Sequence, residues 1–313
     1  MTDARRRRIA SPFVASMKSV LCPIDFSEGS AHALEQAAAV ARWYKARLTA
    51  LHAYSPLVPI PGLPVDHVPE PELQRVRDEA TAFVASVLTA RTTVDVVVDF
   101  GQPVHSILER AAALPADLLV MGTHGASGFQ RLLLGSVTEQ VLRKATCPVL
   151  TVPPRAHVTS RLPFARVLCA VDFSEWSIAA VELASSLAQQ SGAMLELLHV
   201  VEWPWDEPPP PIFADLPREQ AVALFEFRRY LTTSATNRLE SLVPAGTRDR
   251  CAMTTRISHG KPYVEILRVA ADDNADLIVL GVHGRKLVDL AMFGSTTNQI
   301  VRRAACPVVT LRR

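Results

Sequence analysis

Two glycine-rich segments hold the residues best suited to chemistry. The first, Met121-Gly-Thr-His-Gly-Ala-Ser-Gly-Phe-Gln-Arg-Leu-Leu-Leu-Gly-Ser-Val137, places Gly122 and Gly125 with two residues between them, then Gly135 after nine more, followed at once by Ser136. The second keeps that spacing in Gly281, Gly284, Gly294 and Ser295. An apolar run ahead of each reads as a buried strand, so Gly122 and Gly125 turn the chain without Cβ atoms and let a sugar or phosphate approach the backbone. Gly135 and Ser136 then open a helix whose unsatisfied N–H groups and positive dipole end favour phosphate. Ser136 and Thr138, like Ser295 and Thr297, add hydroxyl donors at the helix start. A tight turn and a plain helix start would use the same residue types. The recurrence of spacing, strand context and helix start together is what points to phosphate.

Asp25 and Asp172 each follow a first apolar run, at the edge where those glycines lie. A carboxylate there can accept hydrogen bonds from ribose hydroxyls, or it can cap the helix that starts near Ser27. His124 and His283 stand between the glycines, as a base, a phosphate donor or exposed turn residues. His52 and His199 end an apolar run and read as packed side chains, and Trp203 and Trp205 can stack on a ligand but read as local packing.

These residues recur because the chain is a repeat, the feature to seek before any motif. Val20-Leu-Cys-Pro-Ile-Asp-Phe-Ser-Glu28 returns as Val167-Leu-Cys-Ala-Val-Asp-Phe-Ser-Glu175, an offset of 147, as does Leu51-His52 in Leu198-His199. Gly101-Gln-Pro103 returns as Gly260-Lys-Pro262, an offset of 159. Twelve extra residues therefore lie between His199 and Gly260, and the proline-dense stretch Glu202 to Pro217 is the expected host. Its counterpart in the first copy, Ser55 to Pro71, is also proline-rich.

The runs Val20 to Ile24, Leu48 to Ala53, Val94 to Val98, Leu118 to Met121 and Val149 to Val152 read as buried parallel strands. Helices fall between them, the first capped by Ser27 or Ser30 and running to about Tyr44, the third with Pro103 (Pro262 in the second copy) just inside its start. The alternation implies an α/β fold, two doubly wound parallel sheets in tandem, with ligands at the carboxyl ends of the strands. The expected organisation is a basic disordered tail over 1–16, a first domain over 17–152, a linker over 153–163 and a second domain over 164–313. The final strands, Pro148 to Val152 and Pro307 to Leu311, are short apolar edges with unpaired backbone groups, expected to pack the two copies on each other as a pseudo-dimer.

Composition narrows the partners. Lys and Arg total 33 against 31 Asp and Glu, a formal charge of +2 that gives no broad reason to expect nucleic acid or membrane. Arg5 to Arg8 is the local exception, followed by an apolar stretch that holds Pro12 and two serines and has no clear cleavage box. Five cysteines without a CxxC pair suit a reducing compartment, so a cytoplasmic location is expected. No metal-ligand spacing is present, and there is no GxxxxGK[ST] sequence to supply the lysine that reaches the outer phosphates.

An aspartate in a Pro-Ile-Asp-Phe-Ser-Glu context, a Leu-His pair ending the second strand, and this glycine spacing before Gly-Ser together resemble the ATP-binding type of universal stress protein. The likeness covers nearly all of both copies and is most specific over Gly135 to Leu150. It implies a Rossmann-like, adenine nucleotide α-hydrolase-like fold in which Pro23, Ile24, Asp25 and Ala53 line the adenine and ribose. Met121 and Gly122 would continue that wall, and Gly125, Gly135, Ser136 and Val137 would hold the phosphates. Their counterparts are Ala170, Val171, Asp172, Val200, Leu280, Gly281, Gly284, Gly294, Ser295 and Thr296. The implied ligand is ATP, with or without Mg2+, and the implied role a stress-response regulatory module; a slow ATPase and a scaffold with empty sites are the alternatives. Ala170 replaces Pro23, Val282 replaces Thr123 and Arg285-Lys-Leu-Val-Asp289 replaces Ala126-Ser-Gly-Phe-Gln130. The first copy is thus the firmer site, and the two are expected to differ in affinity. A further homodimer is compatible with this organisation.

Overall fold

The computed structural model describes residues 17–55, 69–89, 92–123, 134–154, 162–202, 217–282 and 294–312. The basic tail, Gly125, Gly284, both turn histidines, Arg285, Lys286, Asp289, Trp203 and Trp205 lie outside the described residues. The first half runs β1 (Ser19–Ile24), α1 (Glu28–Tyr44), β2 (Arg47–Tyr54), α2 (Glu70–Val87), β3 (Val94–Phe100), α3 (Pro103–Ala113), β4 (Leu118–Gly122), α4 (Ser136–Lys144) and β5 (Val149–Val152). The second runs β6 (Arg166–Ala170), α5 (Glu175–Ser191), β7 (Met194–Val201), α6 (Arg218–Ser241), α7 (Thr247–Arg250), β8 (Met253–His259), α8 (Pro262–Asp272), β9 (Leu277–Gly281), α9 (Ser295–Arg303) and β10 (Val308–Leu311).

Among the described residues the strands form one ten-stranded sheet in the order β3-β2-β1-β4-β5-β10-β9-β6-β7-β8. Neighbours within each half are parallel. The halves meet through β5 and β10, which pair antiparallel with Val149, Leu150 and Thr151 opposite Thr310, Val309 and Val308. This is the expected pseudo-dimer, and both strands of the seam are buried throughout. Because the seam is antiparallel, the carboxyl ends of the strands point to opposite edges of the sheet in the two halves.

Strand alternation divides the core between the faces. Val20, Cys22 and Ile24 pack with α1, α2, α5 and α6, including Leu34, Ala80, Ala184 and Leu239. Leu21 joins Ile107, Leu142, Ile266 and Ile300 of α3, α4, α8 and α9 on the other face. Each core crosses the seam, so the halves share both layers. The cysteines are all free. Burial pushes the Cys147 thiol up to about 11 and that of Cys306 to about 12, which makes them packing groups at neutral pH.

Of the twelve extra residues of the second half, only one falls in the proline-dense connection and eleven lie beyond it. The connection from β7 to α6 is sixteen residues against fifteen from β2 to α2, whereas α6 has 24 residues against 18 in α2, and eleven residues join α6 to β8 against six from α2 to β3. The two proline-rich connections are thus nearly equal in length. The surplus lengthens a helix and adds the α7 turn.

Candidate functional site

In each half the strand order reverses between the first and fourth strands, β1 and β4 or β6 and β9. A crevice opens there, at their carboxyl ends. Asp25 follows β1, and its Oδ1 accepts hydrogen bonds from the Ser27 N–H (3.2 Å) and hydroxyl (2.5 Å). Asp172 does the same with Ser174, at 3.0 and 2.6 Å. Neither aspartate caps a helix: Ser27 Oγ accepts from the Ser30 N–H, and Ser174 Oγ from the Ser177 N–H. The capping role falls to the serines, which hold the carboxylates at the crevice.

Between aspartate and serine stand Phe26 (φ 63°) and Phe173 (φ 64°), left-handed conformations that cost a non-glycine residue roughly 1–2 kcal/mol. Ring contacts, stacked at Phe26 and tilted at Phe173, offset part of that cost. Phe26 lies on the His52 ring at 4.4 Å and Phe173 on His199 at 4.4 Å. The histidines are locked from below, His52 Nδ1–H donating to the Ile24 carbonyl (3.0 Å) and His199 Nδ1–H to that of Val171 (2.7 Å). These bonds fix the orientation of both rings, and His199 also lines the cleft described below. Cys22 and Cys169 in the neighbouring strands are wholly buried, and burial raises their thiols far above the ordinary range, so neither offers a thiolate.

The opposite lip is built from backbone. The Gly135 N–H donates to the Thr123 carbonyl (2.9 Å) and the Gly294 N–H to that of Val282 (3.2 Å), which sets each glycine at the helix start. Thr138 and Thr297 are buried, and their hydroxyls donate to the Gly122 and Gly281 carbonyls at 2.9 and 3.0 Å. These threonines therefore clamp helix to strand and are not the phosphate donors expected from their position. Ser136 and Ser295 are exposed, Val137 and Thr296 half-buried. Gly135 and Gly294 are the N-cap residues of α4 and α9, and no side chain caps either helix among the described residues. Unlike serine-capped α1 and α5, α4 and α9 begin at a residue without a side chain, a start at which water or an anion can meet first-turn N–H groups.

Thr123 and Val282 are both 2% exposed, so their exchange alters a buried side chain and not a surface facing phosphates. Gly281 also has a reason other than ligand approach. A Cβ there would stand 2.7 Å from Trp176 Cβ and 2.9 Å from the Trp176 carbonyl carbon, so the glycine makes room for the first turn of α5.

In the second half these parts enclose a cleft of about 850 Å³, within the range of small-molecule sites. Ala170, Val171, Asp172, Val200, Leu280, Gly281, Gly294, Ser295 and Thr296, which include every described second-copy candidate, line it. The first-copy candidates occupy matching places: Pro23 and Ile24 end β1 before Asp25, Ala53 lies near the end of β2, Met121 and Gly122 end β4, and Gly135, Ser136 and Val137 open α4. The sequence reading did not pick out Phe173, Pro262 and Ile266, nor the α6 residues Leu231, Ser234, Ala235 and Arg238, which line the cleft too. Phe26 and Phe173 carried a signal, since both follow the aspartate. Arg238 carried none, because the residue it meets is 65 positions away. Among the described residues no cluster of three or more His, Cys, Asp or Glu could hold a metal, and no helix is long and apolar enough to cross a membrane.

Comparison with known proteins bears on the family and the fold. The family model described as "Universal stress protein family" matches residues 17–153 and 163–312. A universal stress protein of Mycobacterium tuberculosis is 29% identical over 315 residues, covering 95% of this chain and 97% of its own. The crystal structure of a universal stress protein from Archaeoglobus fulgidus covers 96% of this chain and 100% of its own at 24% identity with TM-score 0.65, a likeness of fold. A universal stress protein solved in complex with cAMP is 28% identical over 45% of this chain and 99% of its own, with TM-score 0.34; the nucleotide is a property of that protein.

Proposed function

We propose that this chain, which belongs to the universal stress protein family, is a cytoplasmic ATP-binding module whose two clefts regulate a stress response through their nucleotide state. The observation that carries the reading is the second cleft, with Asp172 on one side and the uncapped start of α9 on the other. Adenine and ribose would lie along Ala170, Val171, Asp172, Val200 and Leu280, and phosphates would meet the N–H groups at Gly294, Ser295 and Thr296. The first half presents the same frame through Asp25 and Gly135 to Val137. Mg2+, where present, would arrive on the phosphates, since it commonly keeps waters and phosphate oxygens in place of an all-protein cage. Free thiols at all five cysteines support the reducing compartment.

The test is the nucleotide content of the purified protein by mass spectrometry after gentle denaturation, followed by calorimetric titration of the stripped chain with ATP. ATP or ADP released, and up to two sites refilled, is the expected result. No released nucleotide and no heat on titration would refute the reading. Phosphate released per site per minute then separates a binding module from an ATPase.

A further inference from the structure

The second cleft has a wall built from one face of α6. Leu231, Ser234, Ala235 and Arg238 line it at helical spacing. At the end of that row the Arg238 guanidinium carbon lies 4.3 Å from the centroid of the Phe173 ring, which follows Asp172 directly. Stacking engages the flat face of a guanidinium and leaves its in-plane N–H edge for oxygen acceptors. No carboxylate lies within 4.0 Å of Arg238 among the described residues. The matching phenylalanine of the first half, Phe26, is met by an aromatic ring, Phe83, edge-on at 5.4 Å. One half thus sets a cation on the phenylalanine that follows its aspartate, within the cleft that the aspartate also lines, and the other sets a hydrocarbon ring on the matching phenylalanine.

That distinction has a known chemical meaning in nucleotide-binding α/β folds. An acidic residue beyond a strand accepts from unsubstituted ribose hydroxyls, and an arginine nearby accommodates a phosphate ester on the same ribose. A phosphate placed beside Asp172 alone would be repelled. Arg238 supplies the charge that offsets this, in the fork geometry that suits phosphate oxygens. Resting on the nucleotide reading above, we infer that the second cleft selects an adenine nucleotide whose ribose carries a phosphate at the 2′ or 3′ position, while the first takes an unsubstituted ribose. The 5′ phosphates meet α9, and the ribose phosphate meets Arg238.

The full chain is titrated by calorimetry with ATP, AMP, adenosine 2′,5′-bisphosphate and adenosine 3′,5′-bisphosphate. One site per chain should prefer a bisphosphate over AMP by about tenfold, the factor expected of one charge-assisted pair. The preferred isomer identifies the hydroxyl. Arg238→Gln should bring bisphosphate and AMP to within about twofold of each other, and Arg238→Lys should retain part of the preference, with circular dichroism confirming the fold of both. If ATP binds but neither bisphosphate is preferred, or the preference survives Arg238→Gln, the ribose-phosphate assignment is wrong and the nucleotide reading stands. If none of the four ligands binds, both fail.

Discussion

The two halves of this chain share a frame and differ in a wall. The frame consists of hydrogen bonds made largely by backbone and small side chains: aspartate to serine after the first strand, glycine N–H to carbonyl at the crevice lip, threonine hydroxyl to glycine carbonyl beneath it. Each appears twice with distances within a few tenths of an ångström. The wall is the helix after the second strand, 18 residues in one half and 24 in the other, meeting the matching phenylalanine with Phe83 or with Arg238. The parts that shape the crevice barely vary between the halves, and the difference falls in a helix that the frame does not constrain.

The most damaging way to test the equivalence of the halves is to charge the seam. Leu150 (1% exposed) and Val309 (3%) face each other across it, so Leu150→Lys and Val309→Lys should each remove about 4 kcal/mol or more in urea denaturation, as an unpaired buried charge does. If either variant keeps wild-type stability, or scattering of the unmodified protein shows two independently moving halves, the shared sheet does not describe the solution state. Next in size, Gly281→Ala should cost about 1–3 kcal/mol by overpacking against Trp176. Gly122→Ala should cost less, because Gly29 stands at the repeat position of Trp176; equal losses would show that the Trp176 side chain is not what makes Gly281 tight.

Binding gives the third comparison. Gly135 and Gly294 have φ of −57° and −54°, open to any residue, so a β-branched side chain is compatible with the fold while it crowds an anion at the helix start. Gly135→Val and Gly294→Val should each weaken one of two nucleotide sites by about tenfold or more, about 1.4 kcal/mol in calorimetry. Unchanged affinity in a folded variant would remove that half from the binding assignment. The smallest effect tests the frame itself. Ser27→Ala and Ser174→Ala each delete an N-cap worth about 1 kcal/mol, and matched shifts in thermal midpoint are expected; a silent substitution in one half would mean that its cap geometry is not held in solution.

Much of this architecture could be read from residue order because it is repeated and local. The offset of 147, the apolar runs and the glycine spacing give strands, switch point and crevice, and the helix starts at Ser27 and Pro103 follow from one side chain or one ring. What escaped depends on residues far apart. Twelve residues were assigned to the proline-dense stretch because proline excludes helix, yet its counterpart is only one residue shorter, and the other eleven lie in α6 and the α7-containing connection after it. Thr138 and Thr297 looked like ligand donors from their place in the helix, but the Gly122 and Gly281 carbonyls beneath claim their protons. Gly281 lines the cleft, but a second reason for its lack of a Cβ, the close approach of Trp176, comes from a residue distant in the chain. Arg238 shows the limit most clearly: its meaning comes from a phenylalanine 65 positions upstream.

The antiparallel pairing of β5 with β10 is also a statement about inheritance. Two separate identical subunits joined by this seam would form a closed two-fold dimer, and any substitution would appear in both clefts at once. A change that suited one ligand would then be imposed on the other site, and selection would act only on the sum. Joining the copies in a single chain keeps the seam and removes that constraint. An arginine can appear on one long helix while its counterpart keeps an aromatic ring, and the opposite edges of one sheet can come to differ.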